Sequence, residues 1–342
     1  MWSYRSPAWL PGGHLQTIVP ARWGVQALPP IARSRRERWS TPDGDFIDVD
    51  RQPAPESTET AGRGAVAPLL VLFHGLEGSS DSHYARAFAQ MAGQRGWSFA
   101  LPHFRGCSGE LNTAPRAYHS GDSAEIDWVL RRLKAEQPER PLLAVGISMG
   151  GNALSKWAGE QGQGAHAVVD ALAAVCSPLD LAAAGHALAV GFNRWVYTPM
   201  FLKTMVPKAL RKWSQHPGLF SREAVLAART LHAFDDAFTA PLHGFRNADD
   251  YWARASALPV LGAIRVPALL LNPLNDPFVP CGSLPGPNDV ASSVVLWQPR
   301  GGGHVGFPAP LGWRQRDRLC TAMPTAVTQW LAGHLPHNAA HG

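Results

Sequence analysis

Short uninterrupted apolar runs alternate along the chain with stretches whose apolar residues follow helical spacing. Residues 69–73 and 142–146 are almost wholly apolar, which is typical of strands buried on both faces of a parallel sheet. Further strands are predicted at residues 97–101, 171–176, 268–271 and 293–297, and helices at 84–93, 123–135, 152–159 and 322–332. This alternation predicts an α/β fold with a mostly parallel central sheet and helices on both faces.

Other segments depart from this rhythm. The first 30 or so residues are rich in Pro, Gly and Trp and predict an extended arm, whereas Thr41–Gly44 predicts the turn of a hairpin within residues 38–49 and residues 53–64 a loop. The later segment 185–257 is helical in tendency and dense in aromatic residues, so it predicts a helical cap inserted between two strands. The predicted domains are an arm at 1–37, a first core part at 38–184, the cap at 185–257 and a second core part at 258–342.

The composition narrows the class of protein further. A formal charge of +5 is a mild excess, and the basic run at 33–38 lacks interleaved aromatics, so we expect no nucleic-acid partner. That run is typical of a solvated strand or loop edge; weak attraction to anionic lipid is the alternative. Four cysteines without C-x-x-C spacing predict neither a metal site nor a disulfide framework.

The N-terminus has no signal-peptide pattern, and no run reaches the ~18 apolar residues that would span a bilayer. We therefore expect a cytoplasmic protein with at most peripheral membrane contact. No cofactor is implied, and the oligomeric state stays open.

A candidate nucleophile follows the predicted strand at 142–146. The segment Gly146-Ile147-Ser148-Met149-Gly150 matches G-x-S-x-G, in which a serine projects from a tight strand-to-helix turn and glycines make room for that turn. The motif alone is weak evidence, and a glycine-rich turn without chemistry is the alternative. Its position between a strand and a helix favours a catalytic Ser148.

A serine needs a base, and the base needs a group that orients it. Asp276 and His304 each lie on a loop just after a predicted strand, in the order Ser, Asp, His that this fold uses. Structural roles are the alternatives: an Asx turn before Pro277 for Asp276, and a loop histidine for His304. Asp180 also follows a strand and is the second candidate for the acid.

Acyl transfer also requires donors for the developing oxyanion. We expect these to be the backbone N–H of Met149 and that of Leu76, on the glycine-containing loop after the first core strand. His74, at the start of that loop, is expected to be structural.

Several motifs together resemble the YheT-like α/β hydrolases. They begin at Gly13-His14-Leu15-Gln16-Thr17 and continue as His74-Gly75-Leu76-Glu77-Gly78, Phe104-Arg105-Gly106-Cys107, Tyr118-His119-Ser120-Gly121-Asp122, Gly146–Asn152, Asn275–Phe278 and Gly302–Phe307. The resemblance implies the same triad of Ser148, Asp276 and His304. The chain departs from the family pattern at Pro273-Leu274-Asn275, where a small residue and a second acid are frequent.

His119 and Asp122 resemble short His/Asp motifs of acyl transfer. A structural role is favoured, with Asp122 or Ser123 capping the following helix.

These observations predict a serine esterase that cleaves carboxylic esters with short- to medium-chain or lipid-like acyl groups. The aromatic cap would provide an apolar wall for the acyl chain. Acyl transfer to an alcohol and a non-catalytic ligand-binding scaffold are the alternatives.

Overall fold

The computed structural model describes residues 2–31, 35–55, 66–309 and 319–335. Within these residues eight strands form one sheet, in the order β1-β2-β4-β3-β5-β6-β7-β8. Only the pairs β1–β2 and β2–β4 are antiparallel. The strands are β1 Arg35–Ser40, β2 Phe46–Gln52, β3 Leu69–Phe73, β4 Ser98–Pro102, β5 Leu142–Ile147, β6 Ala171–Val175, β7 Ala268–Leu271 and β8 Val294–Trp297.

Helices fill most connections between the strands. The α-helices are α1 Gly12–Val19, α2 Val25–Ala27, α3 His83–Gln94, α4 Ser123–Glu136, α5 Met149–Gln161, α6 Leu181–Leu188, α7 Gly191–Gln215, α8 Arg222–Ala227, α9 Leu231–Phe234, α10 Ala240–Leu242, α11 Ala248–Ala255 and α12 Ala322–Ala332. Short π-helical segments lie at Pro20–Gly24 and Asp235–Thr239, and 3-10 turns at Gly162–Ala167, Leu258–Ala263 and Cys281–Ser283.

The central strands are apolar throughout because both faces of the sheet are covered. In β3, Val71 and Phe73 pack in one cluster with residues of α4 and α5, whereas Leu70 and Leu72 pack in another with residues of α3 and α12. Each such side chain contributes about 1.5–3 kcal/mol when fully buried. The predicted fold class, a mostly parallel sheet between helical layers, is confirmed.

Parallel strands bring the candidate site residues to one edge of the sheet. The loop that begins at His74 follows β3, and Ser148 follows β5 directly. Asp276 and His304 lie on the loops after β7 and β8. Since the carboxyl ends of parallel strands share one edge, segments distant in the chain meet there.

The predicted hairpin is present as β1 and β2, but the N-terminal segment differs from the prediction. Residues expected to be extended form α1 and the two short helical segments after it, and part of residues 53–64 lies outside the described residues. The α1 sequence is rich in Gly and β-branched residues, which are weak helix formers. Its stability must therefore come from tertiary contacts, and its Gln16 and Thr17 are buried.

The basic run predicted at a strand edge lies partly in β1, the edge strand of the sheet. Arg36 pairs with Asp50 at 2.7 Å and Arg38 with Asp48 at 2.9 Å, both across the β1–β2 hairpin. Residues 33 and 34 of the run lie outside the described residues. The paired arginines stabilise the hairpin locally.

Helices α6 to α11 lie between β6 and β7. Most of their apolar side chains form a separate cluster that also takes in Phe278 and Val279 from the loop after β7, whereas Tyr251 and Trp252 of α11 pack with Leu181 of α6. This is the segment for which a cap at residues 185–257 is predicted, and those domain boundaries stay a prediction. In the part of the chain that the structure describes, every helix is too short or too polar to cross a membrane.

Candidate active site

Ser148 stands in the tight turn between β5 and α5. Its backbone has φ 51° and ψ −118°, a conformation that a residue with a side chain seldom adopts. A Cβ on Gly146 would lie 2.5 Å from Gly150 O, and one on Gly150 would lie 2.5 Å from His74 O. Both flanking glycines are therefore required by close backbone packing, which holds the Ser148 hydroxyl at the sheet edge.

The structure brings together the three residues predicted as a triad. His304 Nε2 lies 3.0 Å from Ser148 Oγ, and His304 Nδ1 lies 2.9 Å from Asp276 Oδ2. The imidazole is thus within hydrogen-bond reach of the hydroxyl on one side and of the carboxylate on the other. With Nδ1–H donated to Asp276, Nε2 is free to accept the Ser148 proton.

The loop after β7 holds Asp276 in place. Its Oδ1 accepts hydrogen bonds from the backbone N–H of Phe278 at 2.8 Å and of Val279 at 3.3 Å, and the residue is buried. Asp180, the second candidate acid, instead caps α6, where its Oδ1 accepts from Ala183 N at 3.0 Å. Of the two acids, only Asp276 contacts His304 in the described structure.

The two residues predicted to supply the oxyanion donors lie at the same cavity as Ser148 and His304. Leu76 and Met149 both line it, and among the described residues neither N–H is donated to another protein group. Free backbone donors beside a serine hydroxyl are what a developing oxyanion needs.

Glu77 follows Leu76 with a positive φ of 57°, and side chains around it stabilise that backbone. The Tyr118 hydroxyl accepts from Glu77 N at 3.2 Å and donates to Glu77 Oε1 at 2.6 Å. Lys208 of α7 pairs with the same carboxylate at 2.9 Å. These contacts hold Glu77 and so help to position the loop that carries Leu76, and neither Tyr118 nor Lys208 was predicted to contribute.

His74 is fully buried beneath the oxyanion loop. Its Nε2 accepts from Phe104 N at 3.0 Å, and its Nδ1–H donates to Gly75 O at 2.7 Å. Burial lowers the pKa of His74 to about 3, so the ring stays neutral. These bonds join two loops at the sheet edge, which is a structural role.

His119 and Asp122 form no hydrogen bond to the triad in the described residues, although His119 lines the same cavity as Ser148. His119 Nδ1 accepts from Gly121 N at 3.2 Å, and burial lowers its pKa to about 4. Asp122 occupies the N-cap position of α4, but its carboxylate pairs with Arg116 and caps no helix N–H. Ser123, the alternative cap, lies inside α4 and its Oγ donates to Glu160, so the side-chain cap predicted for Asp122 or Ser123 is wrong.

The N-terminal helix α1 contacts both loops that carry the base and the acid. Gln16 Oε1 accepts from Gly302 N at 2.8 Å and from Asn275 Nδ2 at 3.0 Å. Thr17 Oγ1 accepts from His304 N at 2.8 Å. From the sequence alone the Gly13–Thr17 motif has no evident role, because its partners lie almost the whole chain away.

Cys176 lies beside the triad at the end of β6. Its Sγ accepts from Val305 N at 3.2 Å, and burial raises the pKa of the thiol well above its usual range. Donor atoms of Cys176, Asp276 and His304 lie within 4.8 Å of one another. Such a group could hold a metal ion, but Asp276 and His304 are already hydrogen-bonded to each other. We therefore assign Cys176 the role of holding the His304 loop through Val305 N.

A cavity opens above Ser148 between the sheet edge and helices α6 to α11. The space between these elements is about 1110 Å³, a figure that includes open solvent at the mouth of the cavity. Much of its wall is apolar and includes Leu188, Phe201, Met205, Phe234, Phe238 and Phe278. The arrangement can therefore hold an apolar chain with its polar end near Ser148.

The cavity also has charged groups in its wall. Lys212 donates to Asn112 O at 2.7 Å and to Ala114 O at 2.8 Å, and burial lowers its pKa to about 8. Asp235 faces the cavity yet is enclosed by protein, which raises its pKa to about 6.

Comparison with known proteins identifies the family. Residues 68–308 match a family model described as the alpha/beta hydrolase fold, which spans more than half of the chain. The chain belongs to the α/β-hydrolase family. YheT of Escherichia coli (strain K12), whose name proposes an esterase activity, is 37% identical over 298 residues, covering 86% of this chain and 84% of that protein. The resemblance to YheT-like α/β hydrolases is thereby confirmed.

Two further proteins are similar to this chain, one in sequence and one in fold. Phospholipase ABHD3 of Homo sapiens is 28% identical over 345 residues, covering 98% of this chain and 80% of that one. The Pyrococcus furiosus esterase Pf2001 has a similar fold, with a TM-score of 0.53, 13% identity, and coverage of 89% of this chain and 91% of that chain. The relatives bear out the expected enzyme class, a carboxylic ester hydrolase.

Proposed function

We propose that this α/β hydrolase cleaves carboxylic esters through an acyl-enzyme on Ser148, with His304 as general base and acid and Asp276 as its orienting group. The observation that carries the proposal is the continuous hydrogen-bonded line from Ser148 Oγ through the imidazole to the carboxylate. The same arrangement raises the nucleophilicity of a serine in other hydrolases.

The first half of the reaction forms the acyl-enzyme. Ser148 Oγ attacks the ester carbonyl carbon while His304 Nε2 takes the hydroxyl proton, and Asp276 stabilises the resulting imidazolium. The carbonyl oxygen becomes an oxyanion that accepts from Leu76 N and Met149 N. When the intermediate collapses, the carbon–oxygen bond to the alcohol breaks and His304 gives its proton to the leaving alcohol.

The second half releases the acid. Water enters the position of the departed alcohol and loses a proton to His304 Nε2 as its oxygen attacks the acyl carbon. The bond to Ser148 Oγ then breaks and the serine recovers its proton from His304. Carboxylic acid and free enzyme are the products.

We further propose that residues 185–257 act as a cap and that the acyl group is short- to medium-chain or lipid-like. Support comes from the apolar side chains of α6, α7 and α9 that line the cavity over Ser148. A chain-length series of p-nitrophenyl esters tests the acyl preference. Highest kcat/KM at butyrate to decanoate is expected, whereas best activity on acetate with loss at longer chains would contradict an acyl site of this size.

Labelling with a fluorophosphonate probe tests the nucleophile. Wild-type protein is expected to label and Ser148→Ala to lose labelling. Ser120→Ala is the matched control, because Ser120 lines the same cavity without a histidine partner in the described residues. Equal labelling of Ser148→Ala would rule out this assignment.

The product formed from the acyl-enzyme distinguishes hydrolysis from acyl transfer to an alcohol. Ethanol added to the assay should leave free acid as the main product if water is the natural acceptor. Ethyl ester in excess over acid would instead support acyl transfer to an alcohol. A protein with no activity on any ester and no labelling would be a binding scaffold.

A further inference from the structure

We propose that Leu15, Phe192, Trp195, Val196 and Met200, here called the apolar patch, dock this protein on an anionic lipid bilayer. All five side chains are exposed, and Trp195 is 77% exposed, the highest value among the large apolar residues described. Exposing an indole to water forgoes burial worth roughly 1.5–3 kcal/mol. A contiguous group of such residues marks an interaction surface rather than scattered exposure.

Helical spacing places most of the apolar patch on one face of α7. Phe192, Trp195, Val196 and Met200 are separated by three, one and four residues, so they share one side of the helix. Leu15 joins them from α1, because the ring of its neighbour His14 lies 4.4 Å from the ring of Phe192. The apolar patch thus spans two elements that pack together.

The charge around the apolar patch suits an anionic surface. Residues 2–31 and 181–222, which contain α1 and α7, have no aspartate or glutamate, although the whole chain has 26. Lys203, three residues after Met200, and Arg211, eight residues after Lys203, continue the exposed side of α7. The Arg194 guanidinium lies 5.6 Å from the centre of the Trp195 ring. Among the described residues, none of these three cations has a carboxylate at ion-pair distance.

Aromatic and aliphatic residues flanked by free cations are the composition of helices that lie in a bilayer interface. In a symmetric contact between two copies these cations would face one another, because the two segments contain no acid. The opposite side of α7 faces the candidate active site, because its Phe201, Met205 and Lys208 line the cavity over Ser148. Docking through the apolar patch would therefore bring the cavity wall next to the lipid; this consequence rests on the proposed ester hydrolysis.

Vesicle sedimentation tests the docking without any chemistry. The Ser148→Ala protein leaves the lipids intact, so binding is measured whether or not the ester mechanism is correct. Vesicles of phosphatidylcholine alone are compared with vesicles that also contain phosphatidylglycerol. Stronger binding to the anionic vesicles, weakened by added salt, is expected.

Variants in the same Ser148→Ala background locate the contact. Trp195→Ser and Met200→Ser should each weaken vesicle binding roughly tenfold, since each removes an inserted apolar side chain. Lys203→Glu and Arg211→Glu should each weaken it roughly fivefold or more on anionic vesicles only. Leu226→Ser, which changes an exposed leucine of α8, is the matched control and should bind as the parent does. Unchanged melting temperatures establish that the variants fold.

Three results would overturn the proposal. The first is absence of binding to either kind of vesicle, and the second is equal loss of binding in Leu226→Ser and Trp195→Ser. The third is a wild-type dimer in sedimentation velocity that dissociates in Trp195→Ser, which would make the apolar patch a contact between two copies.

Discussion

Gln16 Oε1 accepts a hydrogen bond from the backbone N–H of Gly302 at 2.8 Å. The same oxygen accepts from Asn275, so one buried side chain connects the loop before Asp276 with the loop before His304. A Cβ on Gly306 would lie 1.7 Å from the Gln16 backbone oxygen, so the loop and α1 are packed backbone against backbone. The N-terminal helix therefore belongs to the site.

Gln16→Leu is expected to lower kcat at least tenfold while KM changes little. The substitution leaves the Gly302 N–H without an acceptor, at a cost of roughly 1–3 kcal/mol, and loosens the spacing between acid and base. Steady-state kinetics on a soluble ester measure the effect. Gln26→Leu, the same change at an exposed position of α2, is the control and should leave both constants unchanged. A rise in KM alone would argue against a positioning role for Gln16.

Asp276→Asn and Asp180→Asn distinguish the two candidate acids. Asp276→Asn removes the carboxylate that holds the His304 tautomer and should lower kcat by roughly 10³–10⁴-fold. Asp180→Asn keeps an oxygen that can cap α6 and should retain most activity. Equal losses in the two variants would mean that the carboxylate of Asp276 has no special role.

Tyr118→Phe is expected to lower kcat/KM roughly tenfold, an effect of about 1.4 kcal/mol. The change removes both the acceptor for Glu77 N and the donor to the Glu77 carboxylate. The loop that carries Leu76 is then less firmly held. Affinity for a boronic acid that mimics the tetrahedral intermediate should fall in parallel with kcat/KM. Tyr4→Phe, which removes a hydroxyl bonded to Pro308 O elsewhere, is the control. Unaltered boronic acid affinity would separate Tyr118 from the oxyanion site.

Asp235→Asn should change how stability depends on pH. Burial raises the pKa of Asp235 to about 6 from 3.8, so the folded state holds this proton more tightly than the unfolded state. The resulting stabilisation is complete below the unfolded pKa and is lost as pH rises through the folded pKa. Between about pH 4.5 and about pH 7.5 the free energy of unfolding of the wild type should fall by about 2 kcal/mol relative to that of Asp235→Asn.

Urea unfolding of both proteins at these two pH values measures that difference. The amide can still accept from Trp252 Nε1, which donates to Asp235 at 2.8 Å, so the local packing is retained. Parallel pH dependence in the two proteins would mean that Asp235 titrates normally in the folded state.

The pattern along the chain was sufficient to predict the sheet, the tight turn that carries Ser148 and the order of the candidate triad. Residues 69–73 and 142–146 are apolar because both faces of a parallel strand are buried, so a run of consecutive apolar residues predicts each strand. The glycines around Ser148 likewise report a local backbone requirement. Such features depend on neighbours within a few positions and can be recognised without the fold.

Tertiary structure alone decided which groups meet at the site. Gln16 and Gly302 are 286 positions apart, and α1 forms where local propensity favours an extended chain. The sequence left both Asp180 and Asp276 as possible acids because each follows a strand; only the folded loops show that one caps a helix and the other reaches His304. Hydrogen bonds of this kind depend on positions in space, and these are set by packing of the whole sheet.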